Sequence, residues 1–382
     1  MKILIIANGY PSPREPQWGC FEKDQALALK AIGHEVSIMY IDRRFRKYWR
    51  KIGVTKKIDQ GLSVYGMFYL PLGWLRDKVS YRFHQKIVMW LFERLYHEYV
   101  KDHETPDVIY AHYVWNIAYV TKLKEKYNIP LVGIEHWSGM TKEVLPTLGR
   151  YWGEMAYSHT DKLLAVSKSL QTHIKRHFVK ESTVVYDMLG QEFITSKVLK
   201  REVGDGFIFI AVGSLIHRKG FDVLISAFAK SNLASKGCRV IIVGDGPENN
   251  RLKNQANELG ISDYVSLVGR KTKEEIIEIM FGCHVFVLSS RAETFGVVCI
   301  EALSQGLPNI ATVCGGPEEF ITDQNGLLVP ADDINAMAEA MCKMYDNYCQ
   351  FDNVAIANGC LNKFSPHEIA SQLTEIFDEV TK

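Results

Sequence analysis

Several classes of protein are excluded by what this 382-residue sequence lacks. No apolar run approaches the ~18 residues that a membrane-spanning helix needs. The apolar start lasts only about five residues before Asn8 and Gly9, so it predicts a buried first strand instead of a secretory signal. The eight cysteines are scattered without a C-x-x-C pair, which favours reduced thiols in a cytoplasmic protein and argues against a zinc site.

The motifs of several reaction classes are also missing. The sequence has no D-x-D pair to hold a metal-bound diphosphate, no P-loop, no G-x-S-x-G elbow and no H-E-x-x-H motif. Its 47% apolar and 23% charged residues are typical of a globular protein and exclude a disordered chain. We therefore expect a folded protein that uses neither a metal nor another cofactor.

The charge is distributed unevenly, although the net charge of the whole chain is only +1. Residues 1–200 carry a net charge of +10, and residues 201–382 carry a net charge of −9. Two segments of opposite sign, each the size of an ordinary domain, predict two domains.

Short β-branched runs, such as residues 240–243 and 285–288, alternate with longer helical patterns along the chain. The runs are apolar on both faces, which is typical of parallel strands covered by helices on both sides. The pattern predicts an α/β protein of two doubly wound parallel-sheet domains that face each other across a cleft. We expect a first domain at residues 1–190, a linker at 191–206, a second domain at 207–364 and a final helix at 365–382.

The strongest chemical signal lies in residues 284–330. A predicted strand is followed by a loop with Glu293 and by a helix that contains Glu301. The N–H groups at the helix start form an anion site, while the carboxylates offer acceptors for sugar hydroxyls, as a sugar nucleotide requires. If the two glutamates stood alone in the sequence, the alternative to ligand binding would be that one is an ordinary solvated charge and the other a charge at a helix N-terminus. The predicted anion site comprises the N–H groups of Phe295, Gly296 and Val297, and the neighbouring Thr294 is a further predicted donor-binding residue.

This segment resembles the retaining family-4 glycosyltransferases of the GT-B fold. Their signature is a glutamate, an F-G pair and a second glutamate after seven intervening residues, followed by G-x-P, G-G and N-G-L-L-V-P. The matching residues here are Glu293, Phe295, Gly296, Glu301, Gly306, Pro308, Gly315, Gly316 and residues 325–330. The resemblance covers essentially the whole chain and is most specific over residues 208–330. It implies two Rossmann-like domains and a final helix that crosses back to the first.

The resemblance also implies roles for residues of the second domain. Lys219 occupies the position where the family places a lysine against the donor's diphosphate, and Glu293 the position that holds the donor sugar. Ser214 stands where the family often has an arginine, so Arg218 is our candidate for the second phosphate contact. Basic groups there stabilise a leaving diphosphate without a metal, and solvated basic residues are the alternative. The other predicted donor-binding residues are Ser214 itself, Gly244 in a turn, Arg270 beside the base, Glu301 at the ribose and, in the first domain, Gly19.

The first domain matches the family more loosely, as expected if it binds a variable acceptor. Gly19 is the glycine carried over from the family's glycine-rich loop. His136 fits the position of a histidine that contacts the transferred sugar. His112 and Trp137 are the predicted acceptor-binding residues, with a structural histidine and core packing of the tryptophan as the alternatives. The predicted catalytic residues are His136, Lys219 and Glu293.

Residues 43–57, from Arg43 to Lys57, contain eight basic side chains, no acidic one and three aromatic residues. Such a segment is typical of a peripheral protein that meets anionic lipid headgroups. A solvated basic face is the alternative. No nucleic-acid partner is expected, because no recognised nucleic-acid module accompanies the segment.

Together these features predict a retaining, metal-independent glycosyltransferase that uses a UDP- or GDP-linked sugar. We expect a glycan acceptor, lipid-linked, in bacterial surface polysaccharide biosynthesis. The predicted location is the cytoplasm, with a peripheral position on the inner face of the cell membrane. Two other functions stay open: a nucleotide-sugar epimerase on the same fold, and a non-catalytic sugar-nucleotide-binding scaffold.

Overall fold

The computed structural model describes residues 1–44, 50–69, 81–194 and 206–382. The chain divides into two compact units, the first containing Met1–Tyr186 and Pro366–Lys382 and the second containing Asp187–Ser365. Residues 195–205 of the predicted linker and residues 45–49 of the basic segment lie outside the described residues.

An eight-stranded sheet forms the centre of the first unit. Its strands are β1 (Lys2–Ala7), β2 (Glu35–Asp42), β3 (Gly53–Asp59), β4 (Leu62–Phe68), β5 (Val108–His112), β6 (Leu131–Glu135), β7 (Lys162–Ala165) and β8 (Thr183–Val184). Their order in the sheet is β3-β4-β2-β1-β5-β6-β7-β8. Neighbouring strands are parallel except β3 and β4, which pair as an antiparallel hairpin at one edge.

A six-stranded sheet forms the centre of the second unit. Its strands are β9 (Ile208–Val212), β10 (Arg239–Val243), β11 (Val265–Leu267), β12 (Val285–Leu288), β13 (Asn309–Val313) and β14 (Gly326–Pro330). Their order is β11-β10-β9-β12-β13-β14, and all pairings are parallel.

Helices connect the strands in both units. Those of the first unit are α1 (Cys20–Ala31), α2 (Tyr81–Tyr99), α3 (Val114–Tyr127), α4 (Thr147–His159) and α5 (Lys168–Phe178). Those of the second unit are α6 (Phe221–Ser231), α7 (Asn249–Glu258), α8 (Lys273–Phe281), α9 (Val297–Ser304), α10 (Ile334–Asn347) and α11 (Asn353–Phe364). The last helix, α12 (Pro366–Thr381), belongs to the first unit.

Hydrophobic burial explains why the predicted strands form. Every residue of β5, β6 and β12 is buried, as expected for parallel strands covered on both faces. Helix α12 closes the first unit by packing on α1, and the Phe377 ring lies 5.2 Å from the Tyr110 ring. Among the described residues, no helix has both the length and the hydropathy needed to cross a membrane.

The hairpin β3–β4 is an element that the sequence pattern did not predict. Strand β3 lies at the edge of the sheet, and its central residues Thr55, Lys56 and Lys57 are exposed. An edge strand with polar side chains lacks the apolar run on which the prediction depended. The last five residues of the basic segment, 53–57, therefore belong to an edge strand.

Candidate functional site

The second unit holds a buried ion pair in the loops that follow neighbouring strands β9 and β12. The Lys219 Nζ atom donates a hydrogen bond to Glu293 Oε1 at 2.6 Å, and Glu293 is only 6% exposed. Since parallel strands end at the same edge of the sheet, residues 74 positions apart come into contact there. Ligands of open α/β sheets bind at this edge.

Three further groups hold the Glu293 carboxylate and its loop in place. The Ser290 hydroxyl donates to Glu293 Oε1 at 2.6 Å, and the Glu293 N–H donates to the Cys314 carbonyl at 2.9 Å. Arg218 Nη1 lies 3.8 Å from Glu293 Oε2 and donates to the Ala292 carbonyl at 3.0 Å. The predicted phosphate ligands Arg218 and Lys219 therefore both lie beside the predicted sugar ligand.

Gly220 allows the lysine loop to approach the glutamate loop closely. Its φ is +63°, and a Cβ atom built there would lie 1.9 Å from the Ser289 carbonyl oxygen. The Ser289 hydroxyl donates to the Lys219 carbonyl at 3.1 Å. Only glycine permits both this backbone conformation and this contact.

Arg291 also links the lysine loop to the glutamate loop. Its guanidinium donates two hydrogen bonds to Asp222 at 3.0 and 2.9 Å, and its N–H donates to the Arg218 carbonyl at 2.8 Å. This bidentate pair holds the start of α6 against the glutamate loop. No motif in the sequence predicted this pair, because its two residues are 69 positions apart.

The predicted anion site lies at the start of α9. Gly296 is the N-cap residue with φ +96°, and Phe295 is 1% exposed. A Cβ at Gly316 would lie 2.2 Å from the Phe295 carbonyl oxygen, so the G-G turn packs directly on the helix start. Thr294 and Val297 flank it, both partly exposed. The first N–H groups of α9 lack partners within the helix, so they can receive an anion.

Of the remaining predicted donor residues, Ser214, Gly244 and Arg270 lie on loops at the same edge of this sheet. The Gly244 N–H donates to the Gly269 carbonyl at 2.9 Å, which ties the turn after β10 to the loop carrying Arg270. A Cβ at Gly244 would lie 1.8 Å from the Gly213 carbonyl oxygen, next to Ser214. Ser214 and Arg270 are exposed, and Glu301 is partly exposed on α9. Their roles toward a donor stay predictions.

In the first unit, the two predicted histidines are in direct contact. His112 Nδ1 and His136 Nε2 are 3.2 Å apart, and the two rings are nearly parallel, at 3°. Burial lowers the pKa of His112 well below its usual value, and His136 adds to this effect. His112 is 1% exposed, so it is a neutral partner of His136 at neutral pH.

A buried carboxylate, Glu135, fixes the backbone that carries His136 and Trp137. Glu135 Oε1 accepts hydrogen bonds from the N–H groups of both residues, at 2.9 and 2.8 Å. Glu135 Oε2 accepts from the Tyr157 hydroxyl at 2.6 Å. Burial raises the pKa of Glu135, and these hydrogen bonds oppose the shift. Glu135 is not among the predicted site residues, although it directly precedes His136.

Aromatic residues surround the histidine pair. Tyr113 has φ +69° and ψ 142°, a strained conformation for a residue with a side chain, and its ring stacks on Trp115 at 5.0 Å. The Trp115 indole N–H donates to Asn8 Oδ1 at 3.1 Å. Trp137 is half-buried and packs over Gly139, whose added Cβ would overlap the indole.

Gly19 caps the start of α1 with φ +78°. A Cβ there would lie 2.3 Å from the Gly9 carbonyl carbon, so the loop after β1 folds tightly back on itself. The neighbouring Glu22 accepts a hydrogen bond from the Asn8 N–H at 3.0 Å. This close packing and the positive φ are enough to require glycine at position 19, whether or not a ligand binds there.

Much of the predicted basic segment is engaged inside the first unit. Arg43 donates to the Tyr119 hydroxyl at 2.6 Å, and Arg44 and Arg50 both pair with Asp42. Lys56 pairs with Asp102 at 2.8 Å. Across the described residues, no group of three or more histidine, cysteine or acidic side chains is arranged to hold a metal ion.

Comparison with known proteins identifies the class of fold. Residues 23–187 match the family model "Glycosyltransferase Family 4", and residues 194–359 match "Glycosyl transferases group 1". A sucrose-phosphate synthase from Thermosynechococcus elongatus superposes with a TM-score of 0.77 at 18% identity, covering 99% of this chain and 98% of that one. Anabaena HepE in complex with UDP-glucose gives 0.72 at 19% identity, covering 99% and 100%. The two Rossmann-like sheets therefore form a GT-B fold, as predicted.

Two relatives extend the comparison at the level of sequence. An uncharacterized glycosyltransferase of Methanocaldococcus jannaschii is 29% identical over 243 residues, which are 63% of this chain and 66% of that protein. The chain thus spans just under two thirds of that relative. A proposed teichuronic acid biosynthesis glycosyltransferase of Bacillus subtilis, TuaC, is 26% identical over 368 residues, or 90% and 89% of the two chains. The present chain is a family-4-like glycosyltransferase.

Proposed function

We propose that this protein is a retaining glycosyltransferase that transfers a sugar from a nucleoside-diphosphate sugar to a hydroxyl group of a glycan. The observation that carries the proposal is the contact between Lys219 and the buried Glu293, 2.6 Å long. It places a cation for phosphate and an acceptor for sugar hydroxyls next to each other at the edge where α/β sheets bind ligands.

In the proposed reaction, the acceptor oxygen forms a bond to the anomeric carbon of the donor sugar. The bond between that carbon and the diphosphate oxygen breaks, and the diphosphate leaves with the electron pair. The acceptor's hydroxyl proton passes to the departing phosphate oxygen, so the products are a glycoside and a nucleoside diphosphate. Attack comes from the face that the diphosphate leaves, which retains the anomeric configuration.

Lys219 and Arg218 supply the electrostatic stabilisation in this proposal. Hydrogen-bond donors that point at developing negative charge stabilise it strongly where water is largely excluded. The Lys219 side chain is only 16% exposed, so it lies in such an environment. The start of α9 adds backbone donors for the same diphosphate. Glu293 then accepts hydrogen bonds from the donor sugar, and Glu301 from the ribose. His136 is the proposed sugar ligand of the first unit.

The donor is proposed to be a UDP- or GDP-linked sugar, with no metal required. A UDP-glucose complex of a GT-B neighbour supports a nucleotide sugar, and the TuaC relative's assignment supports bacterial surface polysaccharide biosynthesis. The acceptor is proposed to be a lipid-linked glycan at the inner face of the cell membrane, which implies a cytoplasmic protein.

The direct test uses a panel of radiolabelled UDP- and GDP-sugars, with and without EDTA. We expect binding of one donor, slow hydrolysis without acceptor, and a product whose anomeric configuration by NMR equals that of the donor. Inversion would overturn the retaining assignment. Donor binding without hydrolysis or transfer would favour the scaffold, interconversion of donor sugars would favour the epimerase, and loss of activity with EDTA would contradict metal independence.

Membrane association is tested separately, by sedimentation with phosphatidylglycerol and phosphatidylcholine vesicles. Arg43 and Arg44 are engaged within the fold, so their reversal would disturb the structure itself. Arg46→Glu with Lys47→Glu changes the same segment outside the described residues. Loss of binding to anionic vesicles supports the peripheral location, and unchanged sedimentation contradicts it.

A further inference from the structure

The first unit contains a cavity of about 430 Å³ that none of the predicted catalytic, donor-binding or acceptor-binding residues lines. It lies at the carboxyl ends of β1, β2 and β4, beside the loop of residues 10–18. Strand β3 runs antiparallel to β4, so its first residues lie at the same end of the sheet. Thr55 and Lys57 of this strand border the cavity. The cavity therefore occupies the edge of the sheet where open α/β domains bind ligands, and its volume is typical of small-molecule sites, ~300–1,000 Å³.

Aromatic side chains form one wall of this cavity. Tyr10 and Tyr40 stack with ring centroids 6.1 Å apart, and Trp18 meets Tyr40 edge-on at 5.9 Å. The Arg44 guanidinium lies 3.1 Å from the centre of the Trp18 ring, and Tyr10 donates to Asp59 at 2.8 Å. These contacts hold the rings in place, so they present a preformed apolar wall to the C–H face of a sugar.

The acidic groups of the lining are already neutralised within the unit. Glu15 pairs with Arg44 at 3.2 Å, and Asp42 pairs with both Arg44 and Arg50. These two are the acidic side chains among the described residues that border the cavity. An entering ligand therefore does not meet an uncompensated carboxylate.

The lysines of the lining are far less engaged. Lys51 is exposed and forms no ion pair with any described residue. Lys57 Nζ lies 3.9 Å from Asp59, beyond hydrogen-bond distance, and 4.2 Å from the centre of the Tyr10 ring. Burial lowers the pKa of Lys57, and Lys23 adds to this effect while Asp59 opposes it. An anion bound beside Lys57 would favour the charged form of this lysine.

We propose that this cavity is an acceptor subsite that binds a sugar unit carrying an anionic group, either a carboxylate or a phosphate. The aromatic wall packs against the ring of the sugar, and Lys51 and Lys57 pair with its negative charge. The proposal rests on the proposed function, because it names the class of acceptor. It also gives part of the basic segment a role inside the protein.

Lys56 provides a matched control for Lys57. Successive side chains of a strand point to opposite faces, and Lys56 pairs with Asp102 and Glu98 instead of lining the cavity. Lys57→Gln and Lys56→Gln therefore remove the same charge from neighbouring positions of one strand. Only the first change removes charge from the cavity.

The experiment titrates the full chain with methyl β-glucuronide, glucose 6-phosphate and neutral methyl β-glucoside, using saturation-transfer NMR. We expect at least one anionic sugar to bind about tenfold more tightly than the neutral one, which corresponds to about 1.4 kcal/mol. Lys57→Gln should reduce that preference at least about threefold, and Lys51→Gln with Lys57→Gln should abolish it. Lys56→Gln should keep it. The tighter of the two anionic sugars identifies the group as carboxylate or phosphate.

Donor turnover by the wild-type chain, measured in parallel, separates the two proposals. If a nucleotide sugar is hydrolysed but the anionic and neutral sugars bind equally, the subsite is wrong and the proposed function stands. If the anionic preference depends on Lys57 but no nucleotide sugar is bound, the subsite stands and the proposed function is wrong. Equal losses in Lys57→Gln and Lys56→Gln would also overturn the subsite.

Discussion

The Nζ atom of Lys219 lies 2.6 Å from Oε1 of Glu293, in a loop cluster where Glu293 is only 6% exposed. Buried ion pairs contribute little net stability, since the desolvation of two charges offsets their attraction. We therefore interpret this pair as a preorganised ligand set, in which each charge keeps the other in place until a donor binds.

Substitution of either partner should separate its role in activity from its role in stability. Lys219→Met leaves a buried carboxylate with only Ser290 and the more distant Arg218, so we expect a loss of about 3 kcal/mol in the free energy of unfolding. Donor turnover should fall by a factor of about 10²–10³. Calorimetry and a donor hydrolysis assay measure the two effects.

The double variant Lys219→Met with Glu293→Gln separates the loss of stability from the loss of turnover. It removes both buried charges, so most of the lost stability should return while turnover stays low. Lys236→Met is the control, since Lys236 is 53% exposed and lies 3.8 Å from Asp346; we expect a change within about 0.5 kcal/mol. Turnover near that of the wild type in either site variant would disprove the assignment.

Gly220 and Gly237 provide a paired test of the close approach at the site. Both have positive φ, +63° and +78°, but an added Cβ lies 1.9 Å from the Ser289 carbonyl oxygen at Gly220 and meets nothing within 4 Å at Gly237. Gly237→Ala should cost only the conformational penalty of about 1–2 kcal/mol. Gly220→Ala should cost clearly more and lower turnover, because the Lys219 loop must move. Equal melting temperatures of the two variants would contradict the close approach.

The sequence predicted the sheets well because buried parallel strands leave a strong apolar signal. The predicted runs at residues 285–288 and 240–243 match β12 and β10 to within one residue. Strand β3 was not predicted, because it lies at the sheet edge and its exposed Lys56 and Lys57 leave no apolar pattern. Residues 43–57 were expected to form one exposed basic face, but Arg43 and Arg50 turn out to have partners within the unit.

The candidate site could be predicted only in part, since motifs name residues but not their contacts. Lys219 and Glu293 came from the motif resemblance, whereas their ion pair depends on β9 and β12 being neighbours in the sheet. Glu135 was missed because a carboxylate at the end of an apolar run gives no sign of its burial. Two of its three hydrogen bonds are local, from the N–H groups of His136 and Trp137, and the third depends on the fold because α4 brings Tyr157 to it.

Acid should weaken the first unit through His112. Its pKa is held well below the usual value by burial and by His136, so the unfolded chain binds the proton first as the pH falls below about 6.5. Stability is therefore full above that pH and is lost as the pH falls toward the depressed folded value, by up to about 1.4 kcal/mol per pH unit. Melting temperatures between pH 7.5 and 5 measure the slope.

His112→Gln should flatten this slope. His34 also has a pKa lowered by burial, but it is less enclosed, so His34→Gln should flatten the slope less. The raised pKa of Glu135 makes stability increase as the pH falls, which opposes the effect of His112. This contribution is the same in the wild type and in both variants. A slope in His112→Gln as steep as that of the wild type would show that His112 is not the group responsible.

Tyr157 should stabilise the first unit through the charge of Glu135. Its hydroxyl donates to Glu135 Oε2 at 2.6 Å, and Tyr157→Phe leaves that buried oxygen unpaired, at a cost of about 1–3 kcal/mol near neutral pH. Since burial raises the pKa of Glu135 and the hydrogen bond opposes the shift, the variant should raise it further. The cost should therefore shrink as the pH falls and the carboxyl group takes up a proton.

Tyr151→Phe is the control, because Tyr151 donates to the neutral Gln85 amide at 2.6 Å. The loss of stability in this variant should be smaller and should not change with pH. Melting curves from pH 8 to 5 that stay parallel for both variants would refute a role of the Glu135 charge.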